Sequence, residues 1–290
     1  MTVVAGSRLA RIARSVRSTP IHGLVLVTCL VWLVPSIGLL VSSIRPAHEV
    51  ATTGWWTAFT TPFEFTLQNY EQVLTRRGFG LSFMNSLLVT IPATILVVIV
   101  AAYAAYAFAW MRFRGREWLF LAIIAALVVP LQITLVPVLR LFNEVGLTGT
   151  FPGVWLAHLG YGLPFAIYLL RNFFAALPRD MFESAALDGA SHRVAFFRLA
   201  LPTSVPAIAS LAIFEFVWNW NDLLIALIYL GGRRDVAPLT VSITNLVASH
   251  GEGWQLLTSA AFISMALPLV VFFTLQRYFV GGILAGSVKG

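Results

Sequence analysis

Apolar residues run in long blocks along this chain, and polar positions gather between them. Six blocks, near 22–44, 81–110, 117–142, 151–175, 207–230 and 256–280, each reach the roughly 20 residues a helix needs to cross a bilayer. The pattern predicts an all-α polytopic membrane protein with six transmembrane helices. Arg8, Arg11, Arg14 and Arg17 precede the first block, as they would in a secretory leader. Its apolar core is too long for a leader, and Ser43-Ile44-Arg45-Pro46 ends it with no small-residue cleavage site, so it reads as an uncleaved span. The third block is the least regular, because Pro130 and Pro137 interrupt it. The expected division is a cytoplasmic segment at 1–20, a six-span domain at 21–280 and a cytoplasmic tail at 281–290.

Composition supports the pattern. The 290 residues are 59% hydrophobic and 11% charged, with a mean hydropathy of +0.85. Too few polar side chains are present to wet a globule of this size, and too many apolar ones for disorder. A net charge of +7 could point to nucleic acid. The basic residues, however, lie in short clusters between apolar blocks, which is a topology signal and not a phosphate-tracking face.

Placing the N-terminus inside puts thirteen basic residues on the cytoplasmic side (the four named above, Arg112, Arg114, Arg116, Arg171, Arg179, Arg193, Arg198, Arg277 and Lys289). Six fall outside: Arg45, Arg76, Arg77, Arg140, Arg233 and Arg234. Both termini are therefore expected in the cytoplasm. Cys29 is the sole cysteine, and His22, His48, His158, His192 and His250 show no ligand spacing, so no metal site is expected.

Two outer loops exceed a turn. Residues 45–80 carry Trp55, Trp56 and Phe59, and 231–255 carry Trp254. These aromatics read either as an interfacial belt or as a docking surface for an external partner.

The most polar stretch between blocks, 176–206, has a clear local design. Pro178 and Asp180 suit a helix start, Gly189 suits its left-handed end, and Ser191 can cap a second helix that runs through Phe196 and Phe197 until Pro202 stops it. Small residues Ser184, Ala185 and Ala186 let another backbone come close. Phe182, Phe196 and Phe197 are expected as apolar anchors for a partner, with Glu183 and Arg193 fixing its orientation.

The spacing within this stretch resembles the cytoplasmic signature of permease subunits of ATP-binding-cassette importers. That signature reads Glu-Ala-Ala, three residues, Gly, nine residues, Ile, one residue, Leu-Pro. Glu183, Ala185, Gly189, Leu201 and Pro202 match it, and Asp188-Gly189-Ala190 is similar to its usual core. Ser184 stands for the first Ala and Leu199 for Ile. Asn85-Ser86-Leu87, the Gln276–Gly282 stretch and Val288-Lys289-Gly290 further resemble carbohydrate-uptake permeases, of the second, six-span type in maltose and α-glucoside systems. The resemblance implies that the stretch forms a coupling helix seated in a separate ATPase dimer, which binds ATP and magnesium. It also implies a homologous second permease, an extracytoplasmic binding protein and a sugar substrate carried by alternating access. This chain has no Gly-x-x-x-x-Gly-Lys-Ser/Thr loop of its own, and no nucleophile–base cluster, so it is not expected to be an enzyme.

Acids inside spans are costly and face protein or water. Glu215, Trp218, Asn219 and Asp222 fall at helical spacing on one stripe of the fifth block and offer acceptors, an amide and an aromatic platform for a neutral polyhydroxylated ligand. Gln132 and Thr134, between the two prolines of the third block, are further pathway candidates, with Tyr161, Tyr168 and Asn172 behind them. His158 and the Ala-Tyr-rich run at 102–109 are expected to be packing. Rival readings are a permease for a non-sugar solute, such as a polyamine or phosphate ester, and a non-transporting membrane scaffold or receptor.

Overall fold

The computed structural model describes residues 3–60, 64–75, 78–246 and 253–287, with side chains described from residue 21 to residue 276 within those ranges. Arg76, Arg77, His250, Val288, Lys289 and Gly290 lie outside it, as do the side chains of the four N-terminal arginines and Arg277.

In chain order the helices are α1 (Val3–Ser43), α2 (Ala47–Thr52), α3 (Gln68–Thr75), α4 (Phe79–Trp110), α5 (Arg116–Ala126), α6 (Leu131–Glu144), α7 (Phe151–Ala175), α8 (Arg179–Leu187), α9 (His192–Ala195), α10 (Leu201–Thr203), α11 (Val205–Trp220), α12 (Leu224–Leu230), α13 (Leu239–Thr244) and α14 (Trp254–Ser287). A 3-10 turn forms at Trp55–Phe59 and a π turn at Phe196–Ala200. Among the described residues there is no strand.

Among the described residues, four helical stretches are long and apolar enough to cross a membrane: Ile21–Ser43, Phe79–Trp110, Phe151–Ala175 and Trp254–Gln276. Two bent pairs bring the number to six if each is one crossing. The third block, expected as one span, is bent by 104° between α5 and α6, where Pro130 withholds a backbone N–H and forces Val129 away from helical geometry. The fifth block is not continuous to 230 either. It stops at Trp220, and its bent partner is the helical run His192–Thr203 on its N-terminal side, at 76°. The last helix passes residue 280 without a break, so 281–287 continue the helix instead of starting a separate tail.

The described residues form two compact units. One comprises those of 1–73 and 246–262. In it, Arg45 is buried and its guanidinium donates to Gly54 O (3.0 Å), Glu49 Oε2 (2.8 Å), Thr53 Oγ1 (2.7 Å) and Thr57 Oγ1 (3.2 Å). Asn69 Nδ2 donates to the carbonyls of Ser43 and Arg45. A single arginine thus organises the loop that follows α1, while Trp56 and Phe59 stay exposed.

The other unit comprises the described residues of 74–245 and 263–290. Its centre is α4 packed along α7, with α11 across both. Ala101, Ala102 and Ala105 are fully or nearly buried there, small enough to bring the helices close, as expected of the 102–109 run. Asn85 and Ser86, at the head of α4, tie down the 235–239 segment. Asn85 Nδ2 donates to Asp235 O (3.0 Å) and Ala237 O (3.2 Å), and Ser86 Oγ accepts from Leu239 N (2.8 Å).

Candidate coupling wedge and solute cavity

The 176–206 stretch forms two short helices joined at a sharp corner. Pro178 precedes α8, and Asp180 lies in its first turn, where the helix dipole favours an acid. Gly189 ends the helix with φ +79°, a conformation that any Cβ would strain. Ser191 Oγ then accepts from Val194 N at 3.4 Å and starts α9. The second helix does not end at Pro202. It widens into the π turn Phe196–Ala200, in which Leu201 N reaches back to Phe196 O, and Pro202 enters at the start of α10. Proline carries no N–H, so the wide turn absorbs it before the chain bends at Ser204.

Three expected anchors divide differently from the sequence reading. Phe182 is buried, stacked on Trp110 of α4 with ring centroids 3.8 Å apart. Phe196 is buried between Tyr103 (4.7 Å) and Tyr106 (5.2 Å). Both rings therefore fasten the wedge to its own bundle and cannot anchor a partner. Phe197 alone stays exposed. His192 Nδ1 lies 3.4 Å from Tyr106 OH, adding a polar tie. Glu183, Asp188, Gly189 and Arg193 face solvent, Ala185 and Ala190 are half-buried, Leu201 is half-buried and Pro202 exposed. Between them stands Leu187, 89% exposed, which spacing had not singled out. An apolar knob thus stands beside an acid and a bare glycine corner, with two buried rings behind it.

Within the membrane region, a cavity of about 800 Å³ lies between α6, α7 and α11. Its walls include Thr134, Tyr161, Gly162, Phe165, Phe214, Glu215 and Trp218. Thr134 Oγ1 is 3.1 Å from Tyr161 OH, which is 3.0 Å from Tyr229 OH, and Tyr229 donates to Leu135 O in the proline-interrupted α6. Trp218 is 54% exposed and stacks on Phe214 at 6.1 Å. Glu215 is 2% exposed, with Oε2 buried and unpartnered among the described residues. A Cβ placed on Gly162 would stand 2.9 Å from that oxygen, so only glycine leaves it this position.

The other members of the stripe turn away. Asn219 is buried and donates to Thr94 Oγ1 at 3.1 Å. The helix ends before Asp222, whose carboxylate accepts from Ile225 N (3.2 Å) and Ala226 N (2.9 Å) and so caps α12. Gln132 is exposed and does not line the cavity. His158 is not a hydrogen-bonded packing residue: both ring nitrogens are buried without a hydrogen bond, and Nε2 lies 3.8 Å from Asp222 Oδ2. Thr90 Oγ1 and Asn219 Oδ1 are also buried and unpartnered among the described residues, and with these atoms they make a polar seam distributed over α4, α7 and α11. Among the described residues, no group of three or more His, Cys, Asp or Glu could hold a metal.

The wedge and the cavity-lining α7 and α11 both fall inside residues 97–284, which match the family described as "Binding-protein-dependent transport system inner membrane component". The chain belongs to that family. This permease is 58% identical over 273 residues to the osmoprotective compounds uptake permease protein GgtD of Synechocystis sp., covering 93% of its own length and 92% of the relative's. It is 39% identical to the alpha-glucoside transport system permease protein AglG of Rhizobium meliloti, covering 96% and 98%. In fold it matches a chain of a bacterial ABC transporter that imports the acidic polysaccharide alginate, with a TM-score of 0.78 at 22% identity, covering 92% and 98%. The permease is thus a multi-pass inner-membrane component of a transport system and not an enzyme.

Proposed function

We propose that this permease is one of two membrane subunits of an ATP-binding-cassette importer that carries a small polyhydroxylated solute, an α-glucoside or maltose-like sugar, into the cytoplasm. A separate ATPase dimer, which holds ATP and magnesium, receives the α8 tip; an extracytoplasmic binding protein delivers the solute at the opposite end. Both termini then lie in the cytoplasm, on the side of the wedge. The observation that carries this reading is the exposed Leu187 knob beside Glu183 and Gly189, braced on α4 by Phe182 and Phe196. Leu187 is the most exposed large apolar side chain among the described residues, and it stands next to a corner that Gly189 sets. The names of the relatives GgtD and AglG support solute uptake, and AglG's supports a sugar.

Solute passes by the cavity between α6, α7 and α11. Its volume suits a small ligand, Trp218 offers an aromatic platform, and Glu215, Thr134 and Tyr161 offer hydrogen-bonding groups. Asn219, Asp222 and Gln132 do not line the cavity: Asn219 is bonded to Thr94, Asp222 caps α12 and Gln132 lies on the exposed surface of α6. ATPase closure drives the change between two packings by differential stability.

Uptake of labelled saccharides by cells carrying the whole assembly, with this chain deleted as control, tests the reading. Loss of α-glucoside uptake on deletion is expected; unaltered uptake of every saccharide in the panel would refute the sugar assignment. Replacing Leu187 by Glu separates coupling from insertion: the variant should insert and lose ATPase association, and normal association would refute the docking role.

A further inference from the structure

A second cavity, of about 360 Å³, opens at the turn between α4 and α5 and is walled by Arg112, Phe113, Gly115, Arg116, Glu117 and Trp118. This turn lies at the same end of the bundle as the wedge, because Trp110 stacks on Phe182 and donates from Nε1 to Phe174 O at 3.1 Å. Three arginines, Arg112, Arg114 and Arg116, occur in five residues, and among the described residues none is within ion-pair distance of a carboxylate. Arg116 is pre-positioned by its Nη1 bond to Met111 O at 3.1 Å. Phe120, one turn along the same face of α5, carries a fourth guanidinium: Arg171 Cζ sits 4.8 Å over its ring, with Nε buried and unpartnered.

The surroundings of this positive pocket are apolar. Trp118 is 78% exposed, Leu119 and Leu121 are exposed on the same helix, which runs from the turn into the membrane region, and Phe113 is exposed in the turn itself. Tryptophan at such a level anchors to lipid headgroups. Guanidinium forks suit phosphate oxygens, and basic pockets at the membrane surface recognise anionic headgroups. A water-soluble phosphate would gain nothing from the apolar rim, and a nucleic acid would need a longer basic track. We propose that the α4–α5 turn is a binding site for the phosphate of an anionic phospholipid, whose acyl chains lie along Trp118, Leu119 and Leu121. Glu117, on the pocket wall, opposes the phosphate and limits the affinity.

The test uses the intact transporter assembly, reconstituted in vesicles of phosphatidylcholine and phosphatidylglycerol and re-extracted for native mass spectrometry. Wild-type assembly should retain phosphatidylglycerol, and R112Q/R116Q should weaken that retention on the order of tenfold or more. R140Q, at the other end of the bundle, should not, and E117Q should strengthen it. R112K/R116K preserves the positive charge that sets topology while removing the forks, and should fall between wild type and R112Q/R116Q. Equal retention by wild type, R112K/R116K and R112Q/R116Q would overturn the proposal. So would displacement of the lipid by millimolar glycerol 3-phosphate, which would assign the pocket to a soluble anion.

Discussion

The wedge at α8–α10 and the polar seam along α4, α7 and α11 are built by opposite rules. In the wedge the chemistry is outside: Glu183, Leu187, Asp188 and Gly189 are exposed, and the apolar rings are turned inward to hold them. In the seam the chemistry is inside. Thr90, His158, Glu215 and Asn219 are each at most 3% exposed, and each keeps a polar atom without a hydrogen bond. A buried unsatisfied group costs about 1–3 kcal/mol, a cost that an exposed docking surface does not carry. The comparison teaches that the wedge spends its apolar rings on rigidity and leaves its polar groups to solvent, whereas the seam keeps buried hydrogen-bonding capacity unused among the described residues.

Breaking the wedge should have the largest effect. Phe182→Ala removes the ring stacked on Trp110 and should destabilise the wedge by about 3–5 kcal/mol; faster hydrogen exchange confined to 179–203 would report it, and unchanged exchange would show that the stack holds nothing. Leu187→Glu leaves that stack intact. It should lower ATPase association by a factor of about 30, the size of a central contact of roughly 2 kcal/mol, read by co-purification, with thermal stability unchanged.

The seam should respond less and differently. Asn219→Ala leaves Thr94 without its partner and should cost about 1–3 kcal/mol in thermal unfolding. Asn221, exposed and bonded to Val217 O in its own turn, should change stability by less than about 0.5 kcal/mol on the same substitution. Equal effects would remove the distinction between the inner and outer faces of α11. Gly162→Ala should displace Glu215 and raise KM for uptake, with ATPase association as in wild type; a change in association alone would put Glu215 outside the solute path.

The smallest effect is expected at the turn after α12. Arg233 donates to Asp235 from Nε at 3.1 Å and holds its carboxyl below the usual range. A lowered pKa makes the contribution of this pair fully present above the ordinary aspartate range and lost as pH falls through the depressed value. Both groups are exposed, so screening keeps the contribution slight. Asp235→Asn should leave Asn85's contact untouched, because that contact uses the Asp235 carbonyl.

How far the sequence reached depended on whether the signal was local. The wedge's corners at Pro178, Gly189 and Ser191 were legible because these residues act within a turn of themselves, whereas the expected stop at Pro202 failed because the π turn carries the helix past it. Its rings were not, because the partners of Phe182 and Phe196 lie some 70 to 90 residues away on α4. Hydropathy carried the fifth block to 230, since Asn221 and Asp222 barely lower a window of leucines and isoleucines; only the cap that Asp222 gives to α12 marks the break. The stripe at 215–222 assumed an unbroken helix, and its last member fell off with that break. Tyr229, central to the hydroxyl chain beside the cavity, offered no spacing cue and emerged only from the packing of α6, α7 and α12.

The π turn at Phe196–Ala200 winds one residue more than an α turn would. That surplus residue gives the link between the knob and α11 about 1.5 Å of axial slack. On the proposed coupling role, a thrust on the knob would travel along this connection as a slip of register, with the backbone ladder remaining closed on either side.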